Sequence, residues 1–319
     1  MSKKTIDISI VIPFLNEESS INRLLNELEI FCKKMPSINV QVILIDDGSK
    51  DNSSEIIKSY DISNYMIKLI ILSRNFGSHS ALSAGILHSD GKYITSIAAD
   101  LQDPLNVISN LYDKCTSEDI DLIWAKREKY KVSAITKIFS KLYWAIIRKY
   151  VSNDIPENGY DVFMFNEKVK IVLNNNIESN SSLHIQILSF GFKQNYIYYH
   201  KVERKSGKSK WTLSKKIKLL IDSFVAFSYA PIRFVSFIGI MFFITGFSWS
   251  FYIILRKLIY NDLASGWPAL ISTLLLGFGI TNISLGIIAE YLWRTLDASR
   301  RRPVFIIDEI IELNKNNAK

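Results

Sequence analysis

Five short, mostly apolar runs alternate with helical patterns along the first 125 residues. Each run is too short for a helix of its own, whereas the intervening segments repeat apolar residues every three or four positions. Such alternation predicts an α/β domain with a parallel sheet and helices on both faces. The predicted strands are residues 8–12, 40–45, 67–72, 93–98 and 121–125, and the predicted helices are residues 17–32, 53–60, 81–87 and 104–115.

Polar clusters directly follow four of these predicted strands. In open α/β sheets, ligands bind beyond the carboxyl ends of the parallel strands, which lie along one edge. We therefore expect the four clusters to form one site. They are Asn16-Glu17-Glu18, Asp46-Asp47, Arg74-Asn75 and Asp100 to Asp103.

Asp100 and Gln102 are two positions apart, just past a predicted strand. Both side chains offer oxygen ligands to a hard cation such as Mg²⁺ or Mn²⁺, which would offset charge on a diphosphate leaving group. Each acidic cluster also has a structural interpretation, as a helix cap or a turn. For one cluster alone that interpretation is favoured, and only the joint pattern favours a binding site.

The last third of the chain contains two uncharged apolar runs, residues 234–255 and 268–289. Each reaches the roughly 20 residues that a membrane-spanning helix needs. We expect a soluble domain of residues 1–228, followed at 229–319 by a two-helix transmembrane hairpin and a short basic tail. A hydrophobic hairpin buried in a soluble core is the alternative.

Basic residues flank the apolar runs at both outer ends, which predicts that both ends lie on the cytoplasmic side of an inner membrane. The basic segments 135–149 and 213–227 are amphipathic and fit either interfacial helices or ordinary packing helices. A multi-pass membrane region of this kind is also compatible with a homo-oligomer. The bilayer is therefore an expected partner.

The formal net charge of +8 admits either nucleic acid or an anionic membrane with anionic ligands as a partner. No zinc-finger or RNA-binding motif is visible, so we expect no nucleic-acid partner. Cys32 and Cys115 are far apart without CxxC spacing, which argues against a disulfide framework. The short apolar run near the N-terminus is unlike a signal peptide, so the first domain should remain cytoplasmic.

The ordered motifs resemble the family 2 glycosyltransferases. More narrowly, they resemble dolichol-phosphate mannose synthases and bacterial polyprenyl-phosphate glucosyltransferases. The resemblance covers nearly the whole chain. It rests on Val11 to Glu18, Asp46-Asp47-Gly48-Ser49, Leu72 to Gly77, Asp100-Leu101-Gln102-Asp103-Pro104, Ser206 to Trp211 and the two-run tail with Glu290-Tyr291-Leu292 and Arg302-Pro303.

This resemblance implies a GT-A fold, which is Rossmann-like, and an inverting sugar transfer from a nucleotide sugar, expected to be a UDP-sugar, to polyprenyl phosphate. It also implies a divalent metal, Mg²⁺ or Mn²⁺, and a role in cell-envelope glycans. The implied catalytic residues are Asp100 and Asp161. The implied nucleotide contacts are Pro13, Glu17, Asp46, Asp47 and Asp100, the metal ligands are Asp100 and Gln102, and the acceptor-phosphate contacts are Arg127, Arg204, Ser209 and Lys210.

Three positions depart from the family pattern. Ala98 stands where relatives usually carry Asp, Phe163 where they often carry Arg, and Ser78-His79 where they often carry Lys and Glu. Two other functions therefore stay open. One is a polysaccharide-extending membrane glycosyltransferase, although the chain lacks its Gln-x-x-Arg-Trp motif, and the other is a catalytically inactive membrane scaffold.

Overall fold

The computed structural model of the chain describes residues 5–61, 65–127, 145, 148, 160, 162–178, 182–200, 230–260, 266–300 and 302–313. The chain divides into two compact units. One unit comprises Met1–Ser223 together with Pro303–Lys319, and the other comprises Phe224–Arg302.

The described strands of the first unit form one eight-stranded sheet in the order β7-β5-β6-β4-β1-β2-β3-β8. β6 and β8 run antiparallel to their neighbours, while the other strands share one direction. The expected α/β domain with a mostly parallel sheet is thus confirmed. The strands are β1 (Ile8–Phe14), β2 (Val40–Asp46), β3 (Met66–Leu72), β4 (Tyr93–Ser96), β5 (Leu122–Arg127), β6 (Val162–Asn166), β7 (Gln194–Tyr199) and β8 (Ile307–Leu313).

Helices cover both faces of the central strands, so those strands are apolar on both sides. Every residue of β2 is buried, as expected for a parallel strand between two helical layers. α1 and α4 supply one layer, where Leu24 and Ile108 join the main apolar cluster, and α3 packs against β1 and β2. The helices of the first unit are α1 (Glu18–Lys34), α2 (Ser53–Ser59), α3 (Ser78–Leu87), α4 (Asn106–Glu118), α5 (Glu167–Asn175) and α6 (Leu183–Ser189).

The five predicted strands and four predicted helices are all confirmed, with ends shifted by a few residues. β8 is different, because we expected the C-terminal segment to be a basic tail. It is instead an acidic strand that pairs antiparallel with β3, with Leu69 opposite Ile311. The backbone N–H of Ser73 donates to the Ile306 carbonyl over 3.0 Å, which extends this pairing to the loop after β3.

The second unit contains two long helices that contact each other, α7 (Ala230–Tyr260) and α8 (Trp267–Arg300). Among the residues that the structure describes, no helix combines the length and hydropathy needed to cross a membrane. The two expected spans therefore stay a prediction. The amphipathic segment 213–227 and nearly all of 135–149 lie outside the described residues.

Candidate active site

The carboxyl ends of β1 and β2 are tied together at one edge of the sheet. The Asp47 backbone N–H donates to the Phe14 carbonyl over 3.0 Å. In the next turn, the Asn16 N–H donates to Ser49 Oγ over 2.9 Å, and the Lys50 N–H donates to Asn16 Oδ1 over 2.8 Å. Asn16 has a φ of 50°, a left-handed conformation that asparagine tolerates better than most residues. Two of the predicted clusters therefore form one interlocked surface.

Pro13 lies in β1, and Glu17 and Glu18 begin the helix that follows it. The Glu17 carboxylate accepts the Ser20 hydroxyl over 2.6 Å, and the Glu18 carboxylate accepts from Asn52. Glu17 is the N-cap residue of α1, but its side chain makes no capping hydrogen bond, and the Glu18 N–H instead donates to Asp51 Oδ2 over 3.1 Å. A side-chain cap from Glu17 is therefore not what this cluster provides, and both glutamate carboxylates make polar contacts beside the strand ends.

Asp46 belongs to a turn, as the structural interpretation of its cluster predicts. One carboxylate oxygen accepts the Ser49 N–H over 2.7 Å, and the other accepts the Ser54 hydroxyl. Only 3% of the residue is exposed. Asp46 therefore stabilises the turn after β2.

Asp47 links the turn after β2 to the loop after β3. Its carboxylate accepts the Phe76 N–H over 2.7 Å and the Gly77 N–H over 3.0 Å. Burial raises the pKa of this carboxyl, and the two N–H donors oppose that effect. Arg74, in the same loop, is exposed, with its guanidinium carbon 4.2 Å from the centre of the Phe76 ring. A cationic side chain thus lies in a loop held by the Asp47 carboxylate.

Asp100 and Gln102 lie in the loop between β4 and α4. The Asp100 carboxylate accepts the Gln102 N–H over 3.2 Å, and the intervening Leu101 has a φ of 54°. The N-cap residue of helix α4 is Leu105, so the interpretation of Asp100 as its cap is wrong. The loop therefore keeps a partly exposed carboxylate and amide beyond the strand ends.

The Asp100 carboxylate and the Gln102 amide fit a metal site in which a substrate diphosphate supplies further ligands. Mg²⁺ and its analogues commonly use one or two carboxylates and complete their shell with phosphate oxygens and water. Within the described residues, no cluster of three His, Cys, Asp or Glu side chains could hold a metal by itself. Ala98, two residues before Asp100, is exposed and offers no side-chain ligand.

A buried tyrosine–aspartate pair is a feature that the sequence did not reveal. The Tyr199 hydroxyl donates to Asp103 Oδ1 over 2.6 Å. Burial and the nearby Asp103 carboxylate raise the pKa of Tyr199, and Arg127 opposes this shift. Asp103 belongs to a motif cluster, but no sequence pattern pairs it with a residue 96 positions away.

His79 and Phe163, two positions singled out in the sequence analysis, belong to one aromatic cluster. The His79 and His184 rings are edge to face with centroids 6.0 Å apart, and the Phe163 centroid lies 5.4 Å from that of His184. Phe163 is fully buried and stacks on Phe165. An arginine at position 163 would be a buried charge in this packing, so the local core explains the phenylalanine.

The predicted acceptor contacts are only partly described. Arg127 is the last residue of β5 and is paired with Tyr199 of β7 in the strand register. Because β5 runs in the same direction as β4, Arg127 lies at the same edge of the sheet as Asp100. Asp161, Arg204, Ser209 and Lys210 lie outside the described residues.

Comparison with known proteins gives a consistent result. Residues 9–175 match the family model described as glycosyl transferase family 2. The uncharacterized glycosyltransferase YkcC of Bacillus subtilis is 32% identical over 305 residues, covering 95% of this chain and 94% of the relative. The prophage bactoprenol glucosyl transferase homolog of Escherichia coli is 30% identical, with coverages of 95% and 99%. The undecaprenyl-phosphate 4-deoxy-4-formamido-L-arabinose transferase of Proteus mirabilis is 29% identical, with coverages of 99% and 97%.

Proposed function

The chain belongs to glycosyl transferase family 2, and on that premise we propose that it transfers a sugar from a nucleotide donor, a UDP-sugar, to polyprenyl phosphate. The observation that carries the proposal is the full-length similarity to two relatives whose names contain a polyprenyl carrier. These relatives match both units of the chain and not the family domain alone. The product would be a polyprenyl-phosphate sugar for envelope glycans.

On the donor side, the proposed nucleotide contacts surround the edge where β1, β2 and β4 end. Asp46 and Asp47 already have hydrogen-bond partners there, so they would shape the pocket as well as contact the nucleotide. The remaining proposed nucleotide contacts are Pro13, Glu17 and Asp100. Their shared position at one edge supports this assignment.

Asp100 and Gln102 would hold a divalent cation, Mg²⁺ or Mn²⁺, together with the donor diphosphate. When bound, such a cation offsets the negative charge that develops on the diphosphate as it leaves. The Asp100 carboxylate would be the charged protein ligand of the pair. The hydrogen bond from the Gln102 N–H to Asp100 supports this role, because it fixes the loop that carries both side chains.

On the acceptor side, the chain must bring a second anion close to the donor. The second pKa of a phosphate monoester is about 6, so its oxygen is mostly ionised at neutral pH and needs no strong base. This oxygen would attack the anomeric carbon while the bond to the diphosphate breaks, which inverts the configuration. Asp161 would orient the acceptor and would not need to remove a proton.

Positive charges must offset the repulsion between the two substrates. We assign this role to Arg127, Arg204 and Lys210, with Ser209 as a hydrogen-bond donor to the lipid phosphate. Arg127, at the end of β5, supports the assignment because it lies at the same edge as the donor loop. The other three follow β7 in the sequence.

We further propose that the second unit holds the protein in the inner membrane as a two-span hairpin, with the catalytic domain in the cytoplasm. Residues 234–255 and 268–289 carry no charge. α7 and α8 expose many large apolar side chains, and exposed apolar surface of this extent is typical of membrane or protein contacts. Examples are Phe237, Ile240, Phe247 and Leu258 on α7, and Leu270, Phe278, Ile283 and Leu292 on α8.

The assigned roles can be separated by kinetics with radiolabelled donor and polyprenyl phosphate. Arg204→Ala should raise the apparent KM for the lipid and leave nucleotide affinity near the wild-type value, because the phosphate is already an anion in the ground state. Asp161→Asn should lower the rate at every pH without rescue at high pH. Equal loss of nucleotide affinity in Arg204→Ala would place this arginine on the donor instead.

A further inference from the structure

One buried hydrogen bond joins two distant parts of the first unit. The Tyr199 hydroxyl donates to Asp103 Oδ1 over 2.6 Å. Tyr199 is 5% exposed and Asp103 is 4% exposed, so water has little access to either group. A carboxylate buried to this extent is costly unless its oxygens receive hydrogen bonds. The tyrosine hydroxyl is therefore important for keeping Asp103 in place.

Each end of this bond belongs to a different half of the proposed site. Asp103 lies in the loop that presents Asp100 and Gln102, next to the residue that would bind the metal. Tyr199 is the last residue of β7, and the segment containing Arg204 follows it directly. The bond therefore connects the donor loop to the strand that leads into the acceptor segment.

A third group adds to this connection. The charge of Arg127 lowers the pKa of Tyr199, against the larger opposing effects of burial and of Asp103. β5 and β7 are paired in parallel, with Arg127 opposite Tyr199. Arg127, a proposed contact of the acceptor phosphate, and Tyr199 therefore end neighbouring strands at the same level of the sheet.

From this arrangement, we propose that Tyr199 is a positioning residue that couples donor binding to acceptor binding by holding Asp103. The inference rests on the proposed function, because it takes the donor and acceptor sides from it. An acceptor phosphate that orders the end of β7 would also order the loop of Asp100 and Gln102. Each ligand should then increase the affinity for the other by the same factor.

The test measures binding by calorimetry on the full-length protein in detergent. UDP with Mn²⁺ is titrated with and without saturating farnesyl phosphate, and the ratio of the two Kd values is the coupling factor. In the wild type we expect a factor of about 5 or more. In Tyr199→Phe the factor should fall to about 1, while the Kd for UDP alone changes less than about threefold.

Tyr65→Phe is the matched control. Tyr65 is also buried and donates its hydroxyl to a backbone carbonyl, that of Leu25, between α1 and the core. Removing this hydroxyl should cost stability as Tyr199→Phe does but leave the coupling factor unchanged. A merely structural role for Tyr199 predicts that both variants behave alike, and that result would overturn the inference.

Substitutions of Asp103 provide a second test that does not depend on the tyrosine variant. Asp103→Asn retains an oxygen that can accept the hydroxyl, so the coupling should largely persist. Asp103→Leu removes the acceptor and should reduce the coupling as Tyr199→Phe does. A coupling factor of wild-type size in Asp103→Leu would overturn the inference.

The wild type is also assayed for sugar transfer to the lipid. Lack of transfer contradicts the proposed function even when the binding measurements show coupling. Robust transfer together with a wild-type coupling factor of 1 overturns the present inference alone. The two claims can therefore fail separately.

Discussion

Gly48 and Arg74 approach each other through their backbones. A Cβ atom added to Gly48 would lie 2.6 Å from the Arg74 carbonyl carbon, closer than such atoms occur in folded proteins. Gly48 also has a φ of 75°, which favours glycine. The turn after β2 and the loop after β3 therefore depend on the absence of a side chain at position 48.

Gly48→Ala should disturb both the stability and the nucleotide affinity of the protein. The left-handed backbone alone costs alanine about 1–2 kcal/mol, and the clash with Arg74 must also displace the loop. We expect nucleotide affinity to fall roughly tenfold or more, since small displacements in binding loops are costly. Calorimetry with UDP and thermal unfolding measure the two effects.

Gly191→Ala separates the two contributions. Gly191 has a φ of 70°, but none of the residues that the structure describes lies within 4 Å of an added Cβ atom. This variant should show the backbone cost without any change in nucleotide affinity. A Gly48→Ala protein that binds UDP like Gly191→Ala would contradict the role of the close contact.

Asp100→Asn should abolish sugar transfer. The substitution removes the charged oxygen of the proposed metal pair, and Ala98 cannot replace it. Transfer by the wild type should likewise stop in EDTA and return when Mn²⁺ or Mg²⁺ is added. Asp113→Asn, at an exposed position of α4, should keep wild-type activity. Full activity in EDTA would refute the metal requirement.

The C-terminal strand should contribute to the stability of the first unit. Ile311 packs against the main apolar cluster, whereas its neighbour Ile310 is 43% exposed. Ile311→Asp should destabilise the protein by about 1–3 kcal/mol, because it places a charge against the core. Ile310→Asp should change the unfolding free energy by less than about 0.5 kcal/mol. Similar thermal midpoints for both variants would show that β8 adds no stability.

The histidine pair should make stability depend on pH. Burial lowers the pKa of His184 to about 3, with a further lowering by His79, and burial also lowers the pKa of His79. The folded protein thus binds fewer protons than the unfolded chain, in which histidine titrates near pH 6.5. The contribution of the neutral His184 ring to the free energy of unfolding is therefore fully present above about pH 6.5 and is lost as the pH falls towards 3.

His184 can contribute a slope of up to about 1.4 kcal/mol per pH unit in this window. His184→Phe replaces one ring by another in the aromatic cluster and should reduce the decline of the thermal midpoint between pH 7 and pH 5. His200→Gln, at an exposed position, should decline like the wild type. An unchanged decline in His184→Phe would contradict the assignment.

The alternating strand and helix pattern was sufficient to predict the core of the fold. Strands such as β2 are fully buried, so their apolar character is a local property of the sequence. β8 was missed because its Ile307–Leu313 segment alternates weakly and carries three acidic residues. This segment forms a strand because it pairs with the edge of β3, and such a tertiary contact leaves no local pattern in the sequence.

The candidate site was likewise predictable only in part from the sequence. The clusters after β1, β2 and β4 were found because polar residues directly follow buried strands. The bond between Asp103 and Tyr199 was not found, because it joins positions 96 apart and leaves no periodic signal. Nor could the sequence show that Asp46 has both carboxylate oxygens occupied by the turn after β2.

The central claim is tested most directly by incubating the purified full-length protein with radiolabelled UDP-sugars, undecaprenyl phosphate and Mn²⁺, and extracting the products into organic solvent. The account predicts that one sugar enters the lipid phase as a monosaccharide on the lipid phosphate, and that Asp100→Asn abolishes this transfer. Label in a water-soluble polymer, or none in the lipid phase with any donor of a broad nucleotide-sugar panel, would contradict it.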